Sequence, residues 1–236
     1  MTQQPLLEVR NLTVSIAAAD RRVTPVDGVS FSLHRGETLA LVGESGCGKS
    51  LTALSVMRLL PEAAVITSGE VRLAGEDLLA LPEYRMQDVR GRRIGLVFQE
   101  PSTSLNPVMT VGNQIGEVLR RHFRLTRSEA RRGAVEWLGR VGIPEPERRA
   151  AAYPFELSGG QKQRCMIAMA LAGRPDVLIA DEPTTALDVT LQRQILDLLL
   201  RLKCETGLAL LLITHDLSVV RQTADRVALM YAGQIV

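Results

Sequence analysis

The sequence lacks any apolar run long enough to cross a membrane. Its longest apolar stretches, such as 177–180 and 208–213, have the length of β-strands, whereas a helix that spans a bilayer needs about 20 apolar residues. The first ten residues also lack the basic stretch and apolar core of a secretory signal. We therefore expect an intracellular protein without a membrane-spanning segment.

Cysteine is scarce in the sequence, and so is net charge. The three cysteines, Cys47, Cys165 and Cys204, are scattered and odd in number, which favours reduced thiols over disulfides or a metal cluster. The 28 basic residues are offset by 26 acidic ones, which leaves a formal net charge of +2. We therefore expect no nucleic-acid partner, and any polyanion should bind at a local site.

Internal repeats and low-complexity segments are absent as well, and the length of 236 residues suits one domain with an inserted or appended subdomain. Short β-like runs alternate with amphipathic stretches, which predicts an α/β fold with a largely parallel sheet. Residues 17–22 resemble a polar hairpin loop. Helices should follow Lys49, Gly160, Thr190 and Leu217. The predicted strands are 7–16, 29–33, 38–42, 69–73, 94–98, 177–180, 208–213 and 226–231.

A long stretch without a strand pattern separates two of these predicted strands. Between the strand at 94–98 and the strand at 177–180 lie about 80 residues with helical periodicity only, too many for one crossover connection. This predicts a helical subdomain inserted into the sheet domain. We place it at 99–174, with the α/β core formed by 1–98 and 175–236.

A glycine-rich motif lies between a predicted strand and a predicted helix. The strand TLALV leads into Gly43-Glu44-Ser45-Gly46-Cys47-Gly48-Lys49-Ser50, which fits GxxxxGK[ST]. Glycines let backbone N–H groups turn toward phosphates, and the helix N-terminus adds the positive end of its dipole. Lys49 would then reach the β- and γ-phosphates, and the Ser50 hydroxyl would bind Mg²⁺. The alternative is a glycine-rich turn with an incidental lysine.

Two carboxylates follow a second apolar strand. Asp181 and Glu182 end the run VLIA, so they should lie at the carboxyl edge of the sheet, where such folds bind ligands. Asp181 would hold Mg²⁺ through water, and Glu182 would act as general base on the attacking water. Without the upstream glycine loop, a plain turn or helix-cap role would be favoured for this pair.

Two further polar residues follow predicted strands. Gln99 comes after the strand at 94–98 and would bind the metal or hold the water; a polar loop residue is the alternative. His215 comes just after the run LALLLIT, where it would contact the γ-phosphate; a cap or surface histidine is the alternative. Both residues become candidates because the other motifs accompany them.

The stretch Leu157-Ser158-Gly159-Gly160-Gln161 opens a predicted helix and resembles the signature motif of ABC ATPases. Together with the glycine loop, Gln99, the acidic pair, the run 186–188 and His215, it matches the motifs of that family in their usual order, over nearly the whole chain. The resemblance implies a P-loop core with an N-terminal antiparallel β region, and it implies hydrolysis of ATP with Mg²⁺. Lys49, Gln99, Glu182 and His215 would act in catalysis, and Asp188 would help to bind the nucleotide.

The signature motif also has a physical meaning of its own. Ser-Gly-Gly at a helix start is a second anion site of the same kind as the glycine loop. In the family, Ser158 and Gly160 of one subunit would close over ATP that the loop of a second subunit holds, in a head-to-tail dimer. The resemblance leaves open whether the second ATPase is a copy or a paralogue.

The segment Phe98-Gln99-Glu100-Pro101-Ser102-Thr103-Ser104-Leu105-Asn106-Pro107 resembles the peptide and nickel importer branch of the family. The runs 153–156 and 55–61 agree with that branch. In it, the segment would face the coupling helix of a membrane permease, although a turn that caps a helix is the simpler alternative. The resemblance implies two permease subunits, an indirect link to an extracytoplasmic solute-binding protein, and a peripheral place on the cytoplasmic face of the cell membrane.

Two features depart from this branch. The position that usually offers an aromatic ring to adenine is occupied by Ile16, so loose discrimination of the base is expected, with Arg21 or Arg22 as alternative stacking partners. Members of the branch usually continue beyond the position of Val236 with a segment that often carries cysteines, so a trimmed sequence stays open and no iron–sulfur cluster is expected. The rival function is that of a non-transport ABC ATPase acting on nucleic acid or ribosomes; a binding-only regulatory subunit is a further alternative.

Overall fold

The computed structural model describes residues 4–18, 21–185 and 187–236; the side chains of residues 18, 21 and 22 also lie outside the description. The chain divides into two compact units. One is formed within Met1–Gln87 and Gly207–Val236, and the other is Asp88–Thr206. Among the described residues, none of the helices has both the length and the apolar character that crossing a bilayer would require.

The described residues form strands and helices in the following order. The strands are β1 (Leu7–Ala18), β2 (Arg21–Leu33), β3 (Thr38–Val42), β4 (Ala64–Leu73), β5 (Glu76–Asp77), β6 (Ile94–Val97), β7 (Val177–Asp181), β8 (Ala209–Thr214), β9 (Arg226–Tyr231) and β10 (Gln234–Ile235). The helices are α1 (Lys49–Val56), α2 (Glu83–Val89), α3 (Pro101–Ser104), α4 (Val111–Phe123), α5 (Arg127–Arg140), α6 (Pro146–Arg149), α7 (Gly159–Ala172), α8 (Val189–Thr206) and α9 (Leu217–Thr223), with a 3-10 turn at Pro154–Glu156.

The first unit contains an antiparallel sheet with the strand order β2-β1-β4-β5. The pairs Ala17 with Arg22 and Ala18 with Arg21 extend β1 and β2 into the stretch that the sequence predicted as a hairpin loop, so the loop prediction was too wide. β2 begins at Arg21 rather than at residue 29, although it contains Pro25 and Gly28. Because proline and glycine are depleted in strands, the sequence pattern did not predict this part of β2. Its pairing with β1 outweighs the local preference of these two residues.

The first unit also contains the parallel strands that carry the glycine loop. β3 pairs in parallel with β8 on one side and with β9 on the other, and β10 returns antiparallel to β9. All residues of β3 and β8 are buried, as expected for strands covered on both faces. The short strands β5 and β10 were not predicted from the sequence.

The second unit combines a parallel strand pair with helices. β6 pairs in parallel with β7, while α4 packs on α5 and both contact α7. Apolar residues at helical spacing fill this core, among them Ile115, Leu138 and Ile167. α5 begins with a capping box in which Thr126 and Glu129 exchange hydrogen bonds; these bonds hold the pKa of the Glu129 carboxyl below its usual value. The helical character predicted between β6 and β7 is therefore present.

Candidate nucleotide-binding and catalytic residues

The glycine loop in the first unit is shaped by close backbone contacts. Gly46 and Gly48 have φ angles of 83° and 108°, which other residues rarely adopt. A Cβ atom on Gly48 would lie 2.2 Å from the carbonyl oxygen of Pro25, and one on Gly43 would lie 2.2 Å from that of Met230. Only glycine fits at these two positions, because the opposing atoms belong to the backbone.

Lys49 lies inside this loop with 4% of its surface exposed. Its Nζ atom donates hydrogen bonds to the carbonyl oxygens of Gly43 and Glu44, both at 2.8 Å, and lies 3.8 Å from Sγ of Cys47. A buried ammonium is costly unless it is hydrogen-bonded, and here the loop itself supplies the acceptors. The loop thus holds one fixed cation at the start of α1, where Ser50 follows.

The outer part of the loop faces solvent. Glu44, Ser45 and Gly46 are exposed, whereas Cys47 is buried. The N–H group of Cys47 donates to Glu44 O at 3.3 Å, and the N–H group of Gly233 donates to Cys47 O at 3.1 Å. Both bonds are made by the backbone of Cys47, and its thiol is buried. A contact of this residue with the nucleotide stays a prediction.

His215 is brought to the same edge of the sheet as the glycine loop. Val42 and Thr214, the last residues of β3 and β8, are partners in the parallel register. Gly43 and His215 follow them directly, and His215 is exposed. Asp216 then caps α9 by accepting the N–H group of Ser218 at 2.7 Å. The imidazole consequently stands at the carboxyl edge of the strands that carry the loop.

The acidic pair lies at the carboxyl end of β7 in the second unit. Asp181 is 8% exposed, and Glu182 has a φ angle of 46° in the left-handed region. A non-glycine residue in this region is strained, and such residues are concentrated at functional sites. The chain therefore turns sharply at Glu182, the residue that the sequence predicts as the general base.

Gln99 contacts Glu182 directly. Val97 of β6 is the register partner of Ala180 of β7, so the residues that follow these strands are neighbours. The Nε2 atom of Gln99 donates to Oε2 of Glu182 at 3.2 Å. This orientation leaves the amide oxygen of Gln99 to accept from water or to bind a cation.

Two residues near Glu182 were not singled out from the sequence. The Oγ1 atom of Thr185 donates to Oε2 of Glu182 at 2.7 Å. The Nε2 atom of Gln163 on α7, a residue only 1% exposed, donates to the carbonyl oxygen of Pro183 at 2.6 Å. The order Glu-Pro-x-Thr was the available signal, because proline at the second position favours a β-turn that returns the fourth residue toward the first.

The signature motif forms the N-terminus of α7. Ser158 caps the helix, with Oγ accepting the N–H group of Gln161 at 3.4 Å, while Oε1 of Gln161 accepts the N–H group of Ser158 at 3.1 Å. Ser158 and Gly159 are exposed. A Cβ atom on Gly160 would lie 2.6 Å from Cδ2 of Leu191. The capping box thus presents an exposed Ser-Gly pair at the positive end of the helix dipole.

Asp188 acts locally as a helix cap. Its Oδ1 atom accepts the N–H group of Leu191 at 2.9 Å, at the start of α8. Ala186, the first residue of the predicted motif 186–188, lies outside the described residues. A nucleotide contact of Asp188 stays a prediction.

The donors predicted for a magnesium ion have suitable chemistry. Ser50, Gln99 and Asp181 offer a hydroxyl oxygen, an amide oxygen and a carboxylate, the hard oxygen donors that Mg²⁺ prefers. Asp181 is buried at the end of β7, and the oxygen of Gln99 is turned away from its own bond to Glu182. The residues present therefore fit Mg²⁺.

The predicted permease segment forms a short helix and a turn. α3 ends at Ser104, and Leu105 is buried behind it. The side chain of Gln114 fastens the turn: Oε1 accepts the N–H group of Asn106 at 2.9 Å, and Nε2 donates to the carbonyl oxygens of Asn106 and Met109, both at 3.0 Å. Val108 is 79% exposed. The residue directly after the predicted segment 98–107 therefore presents an apolar side chain on a fixed backbone.

The position predicted to face adenine lies in β1. Ile16 pairs with Val23 of β2 and with Ala64 of β4, and it is half-buried. The side chains of Arg21 and Arg22, the alternative stacking partners, lie outside the described residues. Neither of these strand partners, Val23 or Ala64, carries an aromatic ring.

Comparison with known proteins places this arrangement in a family. The family model for ABC transporters matches residues 26–185. The chain belongs to the ABC transporter family. The resemblance stated from the signature motif is therefore confirmed, and with it the presence of an ABC-type ATPase domain.

Several relatives in this family match almost the whole chain. The peptidoglycan transport ATP-binding protein YejF of Agrobacterium fabrum is 57% identical over 234 residues, which cover 99% of this chain and 43% of that protein. The oligopeptide transport ATP-binding protein OppD of Bacillus subtilis is 53% identical over 232 residues, which cover 98% of this chain and 65% of that protein. The chain thus spans less than half of the length of YejF and about two thirds of the length of OppD.

Solved structures confirm the fold class. The dimeric post-hydrolysis structure of the ATP-binding cassette MJ0796 bound to ADP and Pi has a TM-score of 0.87 and 30% sequence identity, and the match covers 97% of this chain and 96% of that chain. The ABC ATPase family and the α/β fold with an antiparallel N-terminal sheet, both predicted from the sequence, are therefore correct.

Proposed function

We propose that this chain binds and hydrolyses ATP as a subunit of an ABC importer for peptides or a related small solute, with nickel as an alternative cargo. The observation that supports the enzymatic part is the glycine loop closed around buried Lys49, in a chain of the ABC family. The solute class rests on the relatives, which are named for peptidoglycan, oligopeptide and dipeptide transport. None of these names refers to nucleic acid or ribosomes, so the rival function gains no support.

The reaction we propose is attack of water on the γ-phosphate of ATP. Lys49 supplies a fixed cation for the β- and γ-phosphates. Ser50 and Gln99 would hold the metal directly, and Asp181 would hold it through water. When bound, Mg²⁺ neutralises charge that develops on the phosphate oxygens. Glu182 takes the proton of the attacking water, and Gln99 helps to orient that water.

The remaining motif residues fit a site completed by a second subunit. His215, at the edge that carries the glycine loop, contacts the γ-phosphate. Ser158 and Gly160 of one subunit close over ATP that the loop of the other subunit holds, with Asp188 nearby. Support comes from the exposed, capped N-terminus of α7 and from the dimeric state of a cassette with the same fold.

We also propose that the chain works at the cytoplasmic face of the membrane. The segment 98–107 faces the coupling helix of a permease. The transporter has two permease subunits, and these link the ATPase indirectly to an extracytoplasmic solute-binding protein. The core comprises 1–98 and 175–236, and the helical subdomain comprises 99–174. The exposed Val108 on its fastened turn is the feature that suits an apolar contact with a permease.

Replacing the proposed base tests the enzymatic part. Glu182→Gln should bind ATP normally but lower kcat at least about 100-fold, because the amide cannot take a proton while its shape is kept. Steady-state phosphate release by the assembled transporter measures this, with Glu117→Gln, an exposed carboxylate of α4, as the matched control. Equal rates for Glu182→Gln and the wild type would refute the assignment.

A further inference from the structure

We propose that Thr185 is a positioning residue for Glu182, and that its hydroxyl group sets the direction in which the carboxylate meets the attacking water. This inference rests on the proposed function of Glu182 as the general base. Thr185 lies between the acidic pair and the run 186–188 and belongs to neither.

The backbone brings Thr185 to Glu182 by a short turn. The N–H group of Thr185 donates to the carbonyl oxygen of Glu182 at 3.3 Å, which closes a four-residue turn with Pro183 at its second position. Proline presets the φ angle that this position requires. Since the turn reverses the chain, the side chain of the fourth residue lies beside that of the first.

Hydrogen bonds from two side chains restrict the carboxylate of Glu182. Thr185 Oγ1 and Gln99 Nε2 both donate to the same oxygen, Oε2, at 2.7 Å and 3.2 Å. The two donor groups belong to different parts of the chain: Thr185 lies in the turn after β7, and Gln99 follows β6. Rotation of the carboxylate would therefore lengthen at least one of the two hydrogen bonds. The direction of Oε1 is thereby defined as well.

The bond from Thr185 is the shorter of the two, and its acceptor is a carboxylate. Hydrogen bonds to an ionised acceptor are about twice as strong as bonds between neutral groups. Gln99 has a second proposed task at the metal and the water, whereas Thr185 has no other described hydroxyl bond. Thr185 therefore supplies the shorter bond to Oε2 from a side chain with no second proposed task.

The turn itself is anchored to the signature helix. The buried side chain of Gln163 on α7 donates to the carbonyl oxygen of Pro183, the residue between Glu182 and Thr184. A shift of α7 would therefore move the turn and, through Thr185, the carboxylate. The hydroxyl group of Thr185 thus connects the signature helix α7, through Gln163 and the turn, to the carboxylate of Glu182.

Removing only the hydroxyl group tests the proposal. Thr185→Val keeps the shape of the side chain at an exposed position, so folding should change little. We expect kcat for ATP hydrolysis to fall about tenfold while KM and the Kd for ATP stay within twofold, because a misplaced base slows the chemical step without weakening phosphate binding. Thr185→Ser, which keeps the hydroxyl group, should restore most of the wild-type kcat.

The control removes a hydroxyl group of similar exposure far from the base in sequence. Thr206 Oγ1 donates to the carbonyl oxygen of Leu202 at 2.7 Å in the last turn of α8, and Thr206→Val should keep kcat within twofold. All variants are compared in the assembled transporter, with the thermal midpoint as a check on folding.

The outcomes separate this inference from the proposed function. An unchanged kcat in Thr185→Val, beside a wild-type protein that hydrolyses ATP, would overturn the role of Thr185 alone. A Thr185→Ser variant as slow as Thr185→Val would also overturn it, because the hydroxyl group would then not be the cause. A wild-type protein without ATP hydrolysis would instead contradict the proposed function.

Discussion

Lys49 and Glu182 are two charged residues whose surroundings constrain them in different ways. Lys49 is buried and satisfied by carbonyl oxygens of its own loop, so its position follows from the glycine loop. Glu182 depends on a strained backbone angle and on donors from Gln99 and Thr185. Both residues are thus held in place by groups of the protein itself. Electrostatic catalysis requires such preorganisation.

We expect discrimination between bases to depend on Ile16, with Arg21 or Arg22 as the alternative. Stacking of a base on an aromatic side chain is worth about 1–3 kcal/mol in nucleic-acid complexes, and Ile16 offers apolar contact only. We therefore expect GTP to bind within about tenfold of ATP, and we expect Ile16→Tyr to tighten ATP binding. Calorimetry with both nucleotides measures the difference, and Val23→Tyr on the paired strand serves as the control.

The opposite result would locate the base elsewhere. An ATP preference far above tenfold that is lost on changing Arg21 or Arg22 would assign base recognition to those arginines. If the preference for ATP survives substitution of Ile16, of Arg21 and of Arg22, adenine must lie in another part of the chain.

At the scale of single residues, the sequence was informative where a motif encodes backbone geometry. Gly43, Gly48 and Lys49 could be predicted because a phosphate loop requires those residue types at fixed spacing. Thr185 and Gln163 could not, because each acts through one side-chain bond whose partner is chosen by the tertiary path of the chain. The order Glu-Pro-x-Thr indicates a turn, but it does not show which side chain the threonine hydroxyl contacts.

At the scale of elements, the turn at 105–109 depends on one buried amide. Gln114 makes three hydrogen bonds to the backbone of this turn from the first part of α4. The turn also has bonds of its own: the N–H group of Val108 donates to Oδ1 of Asn106 at 3.1 Å, and the N–H group of Met109 donates to the carbonyl oxygen of Asn106 at 3.3 Å. The element that we propose to meet the permease is thus fixed by a residue outside the resemblance to the importer branch.

Removing this amide should weaken the turn measurably. Gln114→Leu fills a similar volume but removes the partner of the N–H group of Asn106 and of the carbonyl oxygen of Met109. The carbonyl oxygen of Asn106 keeps its bond from the N–H group of Met109. We expect the free energy of unfolding to fall by about 1–3 kcal/mol, the cost of unsatisfied buried polar groups. Urea titration measures this, with Asn113→Leu, an exposed neighbour on α4, as the control. Equal stability of the two variants would show that water replaces the amide.

The secondary elements themselves were predictable to different degrees. Strands without proline or glycine, such as β3 and β9, have the predicted bounds, because their apolar runs have no competing signal. β2 and β4 begin earlier than predicted, because Pro25, Gly28 and Gly69 lie inside them and local preference argued against a strand. A long-range pairing with β1 decided both cases, and such pairing is not visible in a local pattern.

At the scale of the whole molecule, the proposed motor needs two chains. We propose that the glycine loop and the capped start of α7 are two anion sites of the same physical kind; they are carried by different units of one chain. A dimer in which each loop meets the signature motif of the other subunit would use both. The dimeric cassette with a TM-score of 0.87 is consistent with this reading.

Trapping ATP in the Glu182→Gln variant is the most direct test of this composite site. With Mg-ATP, and with its natural ATPase partner present where that partner is a paralogue, the variant should elute from gel filtration as a dimer that retains unhydrolysed ATP. The same variant without nucleotide, and the double variant Lys49→Ala/Glu182→Gln, should elute as monomers, because the first has no ATP and the second has lost the cation that holds its phosphates. A Glu182→Gln protein that binds ATP yet stays monomeric under these conditions would contradict the account.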